Sequence, residues 1–198
     1  IGAMLIIEVD GMAHAIDEAV RQVARAADID GCIEINRAET AAAVDKLWKT
    51  RKSLSPALRN VAPKKINEDV AVPISNMPAL IEGLERLSSE HGITIVNFGH
   101  AGNGNIHVNL LVDPDNAGEM ERAQGCLADV FTLVIDLDGT LSGEHGVGLE
   151  KRDFVSREID PVALRLMHRI KQQFDPHNIL NPGKTLPPIQ GQFAQPAP

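Results

Sequence analysis

Basic residues are the minority charge in this chain: of 198 residues, 19 are Lys or Arg and 27 are Asp or Glu, a formal net charge of -8. Neutralising a phosphate backbone takes clustered cations, so the balance argues against nucleic acid as a partner. No apolar run approaches the ~20 residues that span a bilayer. The first residues do not read as a leader with a basic start and a small-residue cleavage site. Cysteine is scarce. Cys32 and Cys126 are far apart and in no C-x-x-C arrangement, and they read as buried small hydrophobes of a reducing compartment rather than a disulfide. The expectation is a cytoplasmic protein. Tyrosine is absent and Trp48 is the one tryptophan, read as a core anchor on its helix. What remains is ordinary globular material, 43% hydrophobic and 23% charged, long enough for one substantial core or two small ones.

The chain starts abruptly with "AMLIIEVDG" (3–11), read as a strand ending in a turn. With nothing leading into it, the piece reads as the C-terminal side of a longer protein. Ile16, Ala19, Val20, Val23 and Ala27 recur at helical spacing, so residues 14–28 are expected to be an amphipathic helix. "GCIEIN" (31–36) reads as a strand, and "TAAAVDKLWKTRKSLSPAL" as a helix that Pro56 interrupts. "EDVAVPI" (68–74) reads as a strand again, with Pro73 near an edge. A helix follows, capped by Ser75 or Asn76, striped by Met77, Leu80, Ile81, Leu84 and Leu87, and stopped by Gly92. "ITIVNF" and "NIHVNLLV" make a hairpin through the turn "GHAGNG". Helices are expected near 116–137 and 161–174, the second opening on Asp160 and Pro161. The order gives α+β: a ferredoxin-like antiparallel sheet with helices packed on one face, plus a C-terminal helical segment. "PPIQGQFAQPAP" reads as a loose tail.

Residues 131–148, "FTLVIDLDGTLSGEHGVG", carry two overlapping motifs. "DLDGT" resembles the nucleophile loop of haloacid-dehalogenase-like phosphatases, with Asp136 and Asp138 as the candidate carboxylates. That chemistry needs the aspartate at the tip of a strand, and later strands to supply its partners. Leu127, Val130, Phe131 and Val134 instead have helical spacing, and only about 60 residues follow Asp136. A short match without its context is weak.

"SGEHGVG" has company in "NFGHAGNGNIHVN". At a period of two, His107 and Asn109 share one face of their strand while Ile106, Val108, Leu110 and Val112 share the other. A glycine-rich turn can bring His100 back toward His107. With Glu144 these make a His2Glu set for Zn or a similar divalent ion, leaving positions open for substrate or water. For either loop alone, glycines that merely shape turns and histidines bonded to backbone are the simpler explanation. The two loops together favour a site, because their ligand types complement each other.

"FGHAGNGNIHVN", "GTLSGEHGVG" and "FDPHNILNPGK" follow in the order found in the C-terminal half of FAD-linked oxidases. The chain resembles the vanillyl-alcohol-oxidase/p-cresol-methylhydroxylase type. Its branch is that of the D-lactate dehydrogenases, the glycolate oxidase flavoprotein subunit and D-2-hydroxyglutarate dehydrogenase. The resemblance implies a cap domain over residues 1–160, a segment 161–187 that packs onto a separate FAD-binding domain, and a tail 188–198. It implies metal ligands at His100, His107 and Glu144, with Zn, Mn or Fe as the ion. It implies His145 as general base, and Arg51, Ser55, Lys65 and Asn109 as substrate contacts, with Lys64 competing with Lys65. Asn181 would approach the flavin. Two departures stand out: Asn103 where many members have Asp, and Asp138 where many have Gly.

The chemistry agrees with these roles. Oxidising a 2-hydroxy acid means fixing a carboxylate, polarising a hydroxyl, removing its proton and moving a hydride from the same carbon. A guanidinium grips a carboxylate in a two-pronged geometry, which suits Arg51. An imidazole of ordinary pKa ~6.5 can take the proton, which suits His145. Hydride goes to FAD, where the redox chemistry resides. The expected activity is therefore FAD-dependent dehydrogenation of lactate, glycolate or 2-hydroxyglutarate. A phosphatase or a non-catalytic binding module is the alternative. The expected partners are the substrate, the FAD-binding domain and an electron acceptor: a quinone, a cytochrome, an electron-transfer flavoprotein or an iron–sulfur subunit. A homodimer and a location peripheral to the inner membrane face are also allowed for. Without a dinucleotide-binding glycine fingerprint, the isolated chain is expected to be colourless and inactive.

Overall fold

The computed structural model describes residues 2–188, so all but the first residue of the expected tail lies outside the described residues. The chain falls into two compact units, one up to Ala57 and one from Leu58 onward.

The first unit holds helices α1 (Ala13–Ala27) and α2 (Ala41–Ala57). The predicted stripe of α1 is the half-buried one: Ile16, Ala19, Val20, Val23 and Ala27 are all partly covered. Glu18 holds Arg21 and Arg25 at 2.9 Å on the solvent side. Pro56 sits inside the last turn of α2, so the helix ends one residue later than expected. Four expectations fail in this unit. Residues 3–11 and 31–36 form no strand. Their apolar runs supply the side chains of a strand, but a strand also needs a neighbour for its N–H and C=O groups. Trp48 is 37% exposed rather than a core anchor, and Cys32 is exposed.

The second unit is built on β1 (Lys64–Ala71), α3 (Met77–His91), β2 (Thr94–His100), β3 (Asn105–Val112) and α4 (Ala117–Asp136). α5 (Val155–Glu158) and α6 (Pro161–Phe174) follow. β3 runs antiparallel to both neighbours, giving the order β1-β3-β2. β1 and β2 are thus parallel to each other with β3 inserted between them, the split βαβ of ferredoxin-like folds. Thr140 bridges Ala71 on the free side of β1, where a fourth strand of such a fold would lie.

Alternation sends Val70, Ile106, Val108 and Leu110 to one face, where Leu80, Leu84 and Leu87 of α3 and Cys126, Val130, Phe131 and Val134 of α4 cover them. α3 ends at Gly92 as expected. Asp136 is the last residue of α4 and is exposed, and Asp138 follows it in a turn. The "DLDGT" motif is therefore a helix end rather than a strand tip, which removes the geometry that the phosphatase reading requires. Asp160 caps α6 as expected, accepting from Val162 N–H at 2.8 Å and Ala163 N–H at 3.1 Å. No described helix is long and apolar enough to cross a membrane.

Candidate metal centre and active site

The second face of the sheet is polar. Register places Asp69, His107 and Phe98 side by side across β1, β3 and β2, with Asn67, Asn109 and Val96 in the next row. Lys65 lies one row further, on this same face, opposite Leu111, whereas Lys64 alternates to the helix-covered side. β3 is nonetheless buried along its whole length, because residues after α4 fold back over it.

That return segment carries Glu144 and His145. Its seat is the Asp69 carboxylate, which accepts from Glu144 N–H at 2.7 Å and His145 N–H at 2.8 Å. The Asn105 amide donates to the other oxygen of Asp69. Lys151, nearly fully buried, donates to the Asp69 carbonyl at 2.6 Å and lies 3.7 Å from Glu68. Gly143 permits this approach, since a Cβ there would fall on the Asn105 amide nitrogen.

The result is a cluster around one carboxylate oxygen. Glu144 Oε1 lies 3.4 Å from His107 Nε2, 3.7 Å from His100 Nε2 and 3.8 Å from His145 Nε2. The His107 ring stacks on His145 at 5.1 Å and meets His100 edge-on at 5.5 Å. Potential ligand atoms of Asp69, His107, Glu144 and His145 all fall within 4.8 Å of one another. Of these, Asp69 is the least available to an ion, because three N–H donors already occupy its oxygens. His100 approaches Glu144 from the end of β2 and is the more available donor.

Burial shapes the charges. Burial would raise the Asp69 pKa, but the His145 N–H, the Asn105 amide, the Glu144 N–H and the Lys151 ammonium together bring it down to about 2. His107 is held below the usual imidazole range first by burial and then by neighbouring His145. It therefore stays neutral, as a lone-pair donor must. Burial also pushes Glu68 up and Lys151 down, each toward its neutral form, against their mutual attraction.

Sequence reasoning named His100, His107, Glu144 and His145, and the structure brings these four together. Asn109 is fully buried; its amide donates to Val96 and His107 carbonyls and accepts from Asn67. Arg51 and Ser55 sit one turn apart on α2, both half-buried, within the first unit. Asn181 is exposed in a turn at φ 48°. The stretch just after it returns to the Glu144 segment: Arg152 donates to Gly183 O at 2.7 Å and Thr185 N–H to Gly148 O at 2.9 Å. Asp69, Asn105 and Lys151 were missed. Asp69 left one signal, an acid in an apolar strand at the same two-residue period as Lys65 and Asn67.

Fold and donor set define a class: an α+β domain presenting an open, divalent-type donor set on the polar face of its sheet. The chain belongs to the FAD linked oxidases, C-terminal domain, whose family model matches residues 1–185. It is 34% identical over 182 residues to glycolate oxidase subunit GlcD of Bacillus subtilis, covering 92% of this chain and 39% of that protein. It is 32% identical over 184 residues to a probable mitochondrial D-lactate dehydrogenase of Danio rerio, covering 92% of this chain and 37% of that one. A D-2-hydroxyglutarate dehydrogenase of Stutzerimonas stutzeri is 36% identical over 146 residues, 71% of this chain and 31% of that protein. The chain thus spans about two fifths of the length of the curated relatives it matches.

Proposed function

We propose that this chain is the substrate- and metal-binding part of an FAD-dependent dehydrogenase that converts a D-2-hydroxy acid to its 2-oxo acid. One observation carries the reading: three imidazole Nε2 atoms converge on a single oxygen of Glu144, at 3.4 to 3.8 Å. Relatives named for glycolate, D-lactate and D-2-hydroxyglutarate support the substrate class. They leave all three acids as candidates.

The donors fit a divalent ion, since neutral imidazole and carboxylate suit Zn, with Mn and Fe as the other candidates. His100, His107 and Glu144 would hold it. Such an ion, when bound, supplies the Lewis acidity that lowers the pKa of a substrate hydroxyl. His145 takes that hydroxyl proton at its ring nitrogen, and its backbone bond to Asp69 keeps the imidazole in place. Arg51 grips the substrate carboxylate with assistance from Ser55, and Lys65 makes a further substrate contact. Asn109, expected as a contact too, has no exposed surface and its amide is already bonded on both sides, so it braces β3 instead. In this reading the flavin sits in a cradle that this chain does not supply. That cradle belongs to an FAD-binding domain, onto which residues 161–187 pack from the cap of residues 1–160. Asn181 is the position in this chain that faces the flavin. The electron acceptor beyond the flavin is a quinone, a cytochrome, an electron-transfer flavoprotein or an iron–sulfur subunit, and the enzyme works in the cytoplasm.

The test is metal content of the purified chain by plasma mass spectrometry, wild type beside His107→Ala. The expected result is about one equivalent of Zn, Mn or Fe in the wild type and little in the variant. Equal content in both would remove His107 from the site and the reading with it.

A further inference from the structure

We infer that Asp69 is a positioning residue: one buried carboxylate that both seats the Glu144–His145 loop and sets the tautomer of His107. The inference deepens the metal reading above and rests on it for its chemical purpose.

Asp69 stands directly across from His107 in the β1–β3 register and has no exposed surface. Its Oδ2 takes the two consecutive N–H groups of Glu144 and His145. Its Oδ1 takes the Asn105 amide and faces His107 Nδ1 at 3.8 Å. One side chain thus touches every part of the cluster except His100.

The His107 ring supplies the second half of the argument. Its Nδ1 is buried and has no hydrogen-bond partner among the described residues, a costly state for a buried polar atom. Its Nε2 points at Glu144, 3.4 Å away. Both ring nitrogens face a carboxylate, but the Glu144 side chain is half exposed, whereas Asp69 is fully buried and is the one charge within reach of the buried Nδ1. A proton there is attracted by Asp69, and Nε2 keeps its lone pair for whatever Glu144 also faces. This is the arrangement in which an outer carboxylate orients a ligating histidine. The separation is about 1 Å beyond hydrogen-bond length, so the present contact is electrostatic. An amide could not replace the acid. Three donors already converge on Asp69, and the NH2 of an Asn would have to turn toward Asn105 and His107. Facing Nδ1, it would donate, and the ring proton would move to Nε2.

The test reads the tautomer directly, by long-range 1H–15N correlation on the 15N-labelled chain without metal. Wild-type His107 is expected as the Nδ1–H form; an Nε2–H form overturns the inference without any variant. In Asp69→Asn, the proton is expected on Nε2, with Zn affinity by calorimetry weakened 10–100-fold. A folded Asp69→Asn that keeps both the wild-type tautomer and wild-type Zn affinity also overturns it. A wild-type chain that binds no Zn refutes the metal reading instead, and the tautomer alone then decides the role of Asp69.

Discussion

Gly143 marks where the return segment touches the sheet. A Cβ there would overlap the Asn105 amide nitrogen and lie 2.9 Å from Asp69 Oδ1, so Gly143→Ala must lift the segment off its seat. The bonds at risk are the two N–H donors to a carboxylate, the stronger class of hydrogen bond. The expected cost is about 2 kcal/mol by urea unfolding. Gly146, three residues on, is a control. Its Cβ would meet nothing within 4 Å, although φ is 81°. Gly146→Ala should therefore cost only the left-handed strain, about 1 kcal/mol. Equal losses at the two positions would mean that the seat on Asp69 contributes nothing. The two thiols give a second contrast between neighbourhoods. Burial pushes the Cys126 pKa up to about 11, with Asp129 adding to it, whereas Cys32 is exposed. Since the thiolate is the nucleophile, a disulfide reagent at pH 8 should titrate one thiol in the native chain and the second only after denaturant is added. Two fast thiols would mean that the α4 face is open.

Helix α6 depends on its first turn. Asp160 Oδ1 satisfies two of the N–H groups that no helix can satisfy internally, and the helix buries little besides Leu164. Asp160→Ala should cost about 1 kcal/mol, read as a lower thermal midpoint, while Asp160→Asn should recover most of it. The cap was legible from residues 160 and 161 because capping is local. So were the helices with an apolar stripe, and the hairpin around "GHAGNG", whose two strands lie within a few residues of each other. The strands expected at 3–11 and 31–36 were not, since pairing depends on a neighbour that no local pattern specifies. The start of β1 at Lys64 was missed for a related reason: "KKIN" has little strand character alone and is drafted by β3. At the site, the four residues in His- and Gly-rich motifs were visible as a set. Asp69 was not, because its role is fixed by amides 75 and 76 residues away.

For the whole second unit, acid is the informative variable, because its buried charges pull in opposite directions. Asp69 and Asp175 both titrate at about 2 in the folded chain. For Asp175 the leading cause is Lys171, helped by the Ile179 and Leu180 N–H groups. An unfolded Asp titrates near ~3.9. A folded-state pKa below the unfolded one means that acid favours the unfolded chain, so this stability is present above about pH 4 and lost on the way down to about 2. His107 adds to the loss at milder pH, since a depressed imidazole also binds its proton better when unfolded. Glu68 runs the other way. Its pKa is raised by burial, so protonation relieves a penalty as pH falls and opposes the loss from His107. The thermal midpoint should therefore fall most steeply between about pH 4 and pH 2. Asp175→Asn should lower the midpoint at pH 6 and flatten the acid limb, because the variant has already lost what acid would take. A variant whose midpoint runs parallel to wild type down to pH 2 would show that the turn closing α6 contributes nothing to acid stability, leaving Asp69 and its loop to account for all of it.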